Sequence, residues 1–134
     1  MKILLTGACG YKGTVLVPKL LAAGHEVIAF DIMWFGNFLK DHPMLKVVKG
    51  DVCDIKSIPL EGVDAIIHLS SVANDPCGDL DPKLTWEISC LATMQLADRA
   101  VRLGIKIRRV GIIRRICIIL AGLGVASASV ATTH

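Results

Sequence analysis

Aromatic side chains are scarce: two Trp, three Phe and one Tyr among 134 residues. So few rings offer no stacking platform for single-stranded nucleic acid, and no nucleic-acid partner is expected. The five cysteines (Cys9, Cys53, Cys77, Cys90 and Cys117) include no C-x-x-C pair, and their number is odd. That argues against a zinc site and against a secreted disulfide framework. His25, His42, His68 and His134 are scattered without ligand spacing, so no metal is expected. The opening MKILLTGACG lacks signal-peptide character, because its apolar run is short and broken by glycine. These absences together imply a reducing cytoplasm. The small and apolar stretch at residues 116–131 has sixteen positions and contains Gly122 and Gly124. A spanning helix needs roughly 20, so a membrane anchor is not expected.

What is present is apolar. Hydrophobic residues make up 53% of the chain and mean hydropathy is +0.58, enough for one domain with a core. Charge is unevenly placed. Residues 1–101 hold nine Lys/Arg and all twelve Asp/Glu, whereas Arg102, Lys106, Arg108, Arg109, Arg114 and Arg115 come after them with no acid in between. A mildly acidic body thus carries a basic end, read here as a solvated helix end and an atypical tail.

Periodicity predicts alternating strands and helices. Lys2–Thr6 is a short apolar run ending in a glycine-rich turn, as a buried parallel strand does. From Tyr11 to Ala23, Leu16, Val17, Leu20 and Leu21 keep helical spacing and Gly24 fits the stop; Pro18 should kink that helix or displace its start. Val27–Asp31, Leu45–Lys49 and Ala65–Leu69 read as further strands, and Asp54–Ile58 as a short helix. Asp81-Pro82 opens a long helix that Gly104 ends, with Leu84, Ile88, Leu91, Leu96 and Val101 sharing much of one face. Ile105–Ile113 can contain a fifth strand, although arginines interrupt it. The alternation implies right-handed βαβ units. The expected fold is α/β: a Rossmann-like, doubly wound parallel sheet with helices on both faces, incomplete at its C-terminal end.

The sharpest local signal is Thr6-Gly7-Ala8-Cys9-Gly10-Tyr11-Lys12-Gly13, between the first strand and the first helix. Free amides at a helix N-terminus, with the positive end of the helix dipole, suit a pyrophosphate. A Cβ at Gly7 or Gly10 would hold that group off, and Gly13 would permit close helix–strand contact. Gly7, Gly10, Tyr11, Lys12 and Gly13 are therefore candidate cofactor-binding positions. Asp31 ends the next strand, 18 residues beyond Gly13, placed to accept from ribose hydroxyls. Its charge would repel a 2′-phosphate and no Arg or Lys directly succeeds it, which favours NAD over NADP. Cys9 could be activated by the helix N-terminus but reads better as a small apolar filler. His68 reads as a hydrogen-bonded structural histidine. Trp34 and Phe35 could cover the adenine or serve a core or interface.

The string TGACGYKG resembles the T-G-x-x-G-x-x-G signature of the NAD-dependent epimerase/dehydratase family, the extended short-chain dehydrogenases/reductases. The resemblance continues through Gly50-Asp51-Val52, similar to the G-D-[IV] whose acid and next residue meet the adenine. It continues through His68-Leu69-Ser70-Ser71-Val72-Ala73, similar to the H-L-A-A segment on the nicotinamide side. Trp86–Ala97, with Leu91-Ala92-Thr93, resembles the N-V-x-G-T helix. It implies a cofactor site that includes Asp51, Val52, Leu69, Ser70 and Ser71, with NAD as cofactor. It further implies nucleotide-diphosphate-sugar substrates, a Tyr-x-x-x-Lys pair as base, and homodimers through the long helix.

The chain departs from that pattern. Tyr11 is its only tyrosine, residue 15 is Val15, and no lysine comes after Lys106, so no Tyr-x-x-x-Lys exists. Ser89 stands where the family has Asn, which should weaken a polar bridge to the active site. The expected division is an NAD-binding domain over residues 1–106 and a basic, then apolar tail over 107–134, frameshifted or otherwise replaced. No catalytic residue is assigned, and a nucleotide-sugar is expected as substrate only of a complete enzyme. Three functions compete: the cofactor-binding portion of such an enzyme, a non-catalytic NAD-binding module acting through a partner, and a tail-tethered interaction protein.

Overall fold

The computed structural model describes residues 1–72 and 81–109. In it, β1 (Lys2–Thr6), α1 (Tyr11–Ala22), β2 (Glu26–Asp31), β3 (Leu45–Lys49) and β4 (Ala65–His68) succeed one another. Next come α2 (Pro82–Trp86), a π-helical turn (Glu87–Leu91), α3 (Ala92–Arg102) and β5 (Lys106–Arg109). The five strands form one parallel sheet in the order β3-β2-β1-β4-β5. The chain leaves β1 toward β2 on one side and returns to β4 on the other. The strand order therefore reverses between β1 and β4, where a crevice opens beyond the carboxyl ends of the strands.

Alternation along the strands divides the core between the two faces. Leu5, Val27 and Ala29 pack with Val17 and the half-buried Leu16, Leu20 and Leu21 of α1. Leu4, Ile28, Phe30 and Ile66 pack with Ala92, Leu96 and Ala100 of α3 and with Ile58 and Leu60 from the β3–β4 connection. Each fully buried Leu, Ile or Phe contributes about 2 kcal/mol, so both layers are needed to hold the sheet. Arg99 of α3 ties that connection down by donating to the carbonyls of Ile55 and Ile58.

The helix ends obey local chemistry. Gly24 (φ +80°) closes α1 and Gly104 (φ +67°) closes α3, as their sequence positions predict. Asp81 caps α2 by accepting from the Leu84 amide at 3.0 Å, with Pro82 at the first position. Pro18 does not displace the start of α1, which runs from Tyr11 straight through it; the exposed proline only removes the helical donor to the Thr14 carbonyl.

Three expectations need correction. Asp54–Ile58 is a set of turns, closed by the Ser57 amide on the Asp54 carbonyl, and not a helix. The long helix is not uniformly α-helical, because the π turn inserts extra residues per turn and shifts the phase of α3. The buried stripe is accordingly Ser89, Cys90, Ala92, Thr93, Leu96 and Ala100, while Leu84, Leu91 and Val101 are exposed. β5 lies within the stretch anticipated for it and pairs with β4 as far as Arg109. The tail beyond Arg109, Cys77 and Cys117 lie outside the described residues. Among the described residues no helix is long and apolar enough to cross a membrane, and no group of His, Cys, Asp and Glu is placed to hold a metal.

Candidate functional site

A groove opens at the carboxyl ends of β2, β1 and β4. Gly7, Gly10, Asp31, Asp51, Val52, Leu69, Ser70 and Ser71 line it, as do Cys9, Trp34, Phe35 and Ile88. Eight of the eleven positions singled out from sequence thus converge on one concavity. Tyr11, Lys12 and Gly13 do not line it: the Tyr11 ring is 92% exposed and Gly13 is buried. The first intrahelical bond of α1 runs from the Thr14 amide to the Gly10 carbonyl (3.0 Å), so the amides of Tyr11, Lys12 and Gly13 precede the helical ladder. No acid lies in that first turn and no side chain caps it.

The glycines have different reasons. Gly7 (φ +71°) is held by its neighbours: a Cβ there would lie 2.8 Å from the Ser70 amide nitrogen and 2.9 Å from the Leu69 carbonyl carbon. The first glycine therefore makes room for the β4 loop, and only Gly10 faces open space apart from the Gly7 carbonyl at 3.3 Å. Both glycines line the groove; a side chain at Gly7 would collide with the β4 loop, whereas one at Gly10 would meet only the Gly7 carbonyl. At Gly13 a Cβ would meet the Ala8 carbonyl oxygen at 2.3 Å, consistent with the close contact expected of it, though the partner is the turn and not the strand.

Asp31 organises the β2 side. One carboxylate oxygen accepts from the Cys9 amide at 2.9 Å and the other from the Met33 amide at 2.7 Å. The first bond ties the end of β2 to the glycine turn. The second folds the chain back at Met33, a non-glycine residue at φ +61°. Each oxygen keeps a second lone pair, so the carboxylate can still accept from a diol. Cys9 is buried beside it, and burial, together with the Asp31 charge, raises its pKa above the ordinary 9.0. The thiol form is favoured, in keeping with an apolar filler. Asp51 accepts from the Cys53 amide at 2.8 Å. The Cys53 thiol is pushed up to about 11 by desolvation and then by Asp51. Gly50, before it, leaves room for the Phe30 ring, whose Cζ would lie 2.5 Å from a Cβ.

The β4 side is built from buried side chains. His68, 2% exposed, lies with Nδ1 2.6 Å from Thr6 Oγ1 and Nε2 2.9 Å from Thr93 Oγ1. The hydrogen-bonded structural role read from sequence is what the structure has. Ser89, in the π turn, accepts from the Val72 amide at 3.1 Å, so a serine does bridge to the β4 loop despite being shorter than asparagine. Sequence reasoning missed this contact and Ile88; no residue type announces a π turn.

The sequence model of the NAD-dependent epimerase/dehydratase family matches residues 3–112. The chain belongs to that family. A UDP-glucuronic acid decarboxylase of Arabidopsis thaliana is 31% identical over 109 residues, 78% of this chain and 24% of the relative. A 3 beta-hydroxysteroid dehydrogenase/Delta 5-->4-isomerase of Mycobacterium tuberculosis is 36% identical over 73 residues, 53% of this chain and 19% of the relative. The UDP-glucose 4-epimerase of Thermus thermophilus, solved with NAD, superposes with a TM-score of 0.68 at 24% identity, over 78% of this chain and 35% of that one. The chain thus spans about a quarter or less of these curated relatives.

Proposed function

We propose that this chain binds NAD in the groove and forms the cofactor-holding portion of an enzyme acting on a nucleotide-diphosphate sugar. Asp31 carries the reading. It sits at the end of β2, is tied to the glycine turn through the Cys9 amide, and keeps lone pairs free toward the groove. The pyrophosphate would rest against the amides of Tyr11 and Lys12 beside Gly10, and the adenosine ribose on Asp31. The adenine would lie by Asp51 and Val52, and Leu69, Ser70 and Ser71 would flank the nicotinamide half. NAD supplies a hydride acceptor; the residues named bind and orient it.

These 134 residues do not complete a reaction alone. A general base must reach the substrate hydroxyl, and the only tyrosine, Tyr11, is spent on the surface of the first helical turn. The sugar class rests on the family and on the nucleotide-sugar relatives, with a steroid alcohol as the alternative raised by the mycobacterial relative.

Calorimetric titration tests the reading. NAD should bind the 134-residue chain, NADP more weakly, and Asp31→Ala should weaken NAD at least tenfold, the order expected for losing a charge-assisted hydrogen bond. A folded chain that ignores NAD, or an Asp31→Ala variant that binds as before, would overturn it. Adding UDP-glucose or a 3β-hydroxysteroid to the NAD-loaded chain should leave the nicotinamide absorbance unchanged.

A further inference from the structure

The buried polar groups at the β1–β4 reversal form a connected path that cofactor binding alone does not explain. Thr6 and His68 are register partners in adjacent parallel strands, on the face that α3 covers. The Thr93 hydroxyl donates to the Ser89 carbonyl at 3.0 Å, which uses its only proton. It must therefore accept from His68, whose Nε2 carries hydrogen. In the neutral ring, Nδ1 accepts from the Thr6 hydroxyl.

We propose that Thr6, His68 and Thr93 are a positioning device that locks the π turn to the end of β4, so that Ser89 Oγ holds the Val72 amide and fixes the Leu69–Val72 wall of the groove. Two observations support this. The chain of distances is unbroken from 2.6 to 3.1 Å. All four residues are buried. None of the four side chains needs to touch NAD; the path acts through the wall, and its effect on cofactor rests on the function proposed above.

The test uses the 134-residue chain and reads the network without NAD first. Proton–nitrogen correlation of the His68 ring should find hydrogen on Nε2 and none on Nδ1; the opposite tautomer overturns the proposal. Amide exchange at Val72 should be protected in the wild type and accelerate roughly tenfold in Ser89→Ala, as for loss of one hydrogen bond. Unchanged exchange overturns the link to the wall. NAD affinity should then fall about three- to tenfold in Ser89→Ala and in Thr93→Val, with Thr93→Ser restoring it. A merely structural role would lower stability in these variants while leaving affinity intact. Should Thr93→Val fail to fold, Ser89→Ala, which removes a single oxygen, decides. If wild type ignores NAD while the tautomer and exchange results hold, the cofactor reading fails and the locking of the wall stands.

Discussion

The two walls of the groove are built by different means. On the β2 side, backbone amides converge on one carboxylate, Asp31, across a turn whose shape needs glycine. On the β4 side, the buried side chains of Thr6, His68 and Thr93 bond in series, Thr93 donates to the Ser89 carbonyl, and Ser89 Oγ accepts from the Val72 amide in the Leu69–Val72 wall. The first wall fails by collision when a single atom is added. The second fails by leaving a partner unsatisfied when a single atom is removed. These are different energies, and they rank the experiments.

Adding one carbon at Gly13 should have the largest effect. Its Cβ would lie 2.3 Å from the Ala8 carbonyl oxygen and 2.5 Å from that of Gly7, both backbone atoms with no rotamer to escape into. Gly13→Ala should cost about 3 kcal/mol or more, the upper end for overpacking, measured by urea unfolding. Gly10→Ala, whose Cβ meets only the Gly7 carbonyl at 3.3 Å, should remain folded and is the natural control. Equal stability of Gly13→Ala and wild type would mean the glycine turn is not seated on α1 as described, and the contrast between the walls would lose its first term.

Removing one oxygen from the other wall should cost less. Thr6→Val keeps the shape of a fully buried side chain and deletes the hydroxyl beside His68 Nδ1. An unsatisfied buried acceptor costs about 1–3 kcal/mol. Thermal unfolding should register that loss, while Cys9 and Met33 amide exchange, which reports the Asp31 contacts, should stay as in wild type. Loss of protection at both walls would show that they are one unit and dissolve the comparison.

The difference between the walls also explains how much the sequence made legible. The strands, the glycine turn, Asp31 and both glycine helix stops can be read from residue type within a short window, because each meets a local requirement: buried β-branched runs, an uncrowded turn, a left-handed stop. Asp51 and Val52 were legible only through resemblance to a family. The π turn was not legible, since Glu87–Leu91 has no composition that distinguishes it from ordinary helix and its register is set by the surfaces it packs against. That is why Leu84, Leu91 and Val101 were placed on the buried face and are exposed. The packing reason for Gly7 was hidden in a similar way: the atoms that exclude its Cβ belong to Leu69 and Ser70, over sixty residues away in sequence.

The smallest effect belongs to the thiol between the walls. Cys9 is 7% exposed, its sulfur 3.7 Å from Asn37 Oδ1 and its amide on Asp31. Burial, and then the Asp31 charge, raise its folded pKa above the ordinary 9.0. For a group whose folded pKa is the higher, the native state keeps a proton that the unfolded chain releases. The associated stability is therefore whole below pH 9.0 and falls as pH rises through the folded value. Urea midpoints should be level on the neutral side of that point and decline above it, and Cys9→Ala should decline less steeply than wild type. Cys53 shares the direction, with a folded value of about 11, but its exposure lets water screen the shift, so Cys53→Ala should alter the slope less than Cys9→Ala does. Parallel declines in all three proteins would mean that the Asp31 carboxylate does not press on Cys9, and that the β2 wall is looser than its two amide bonds imply.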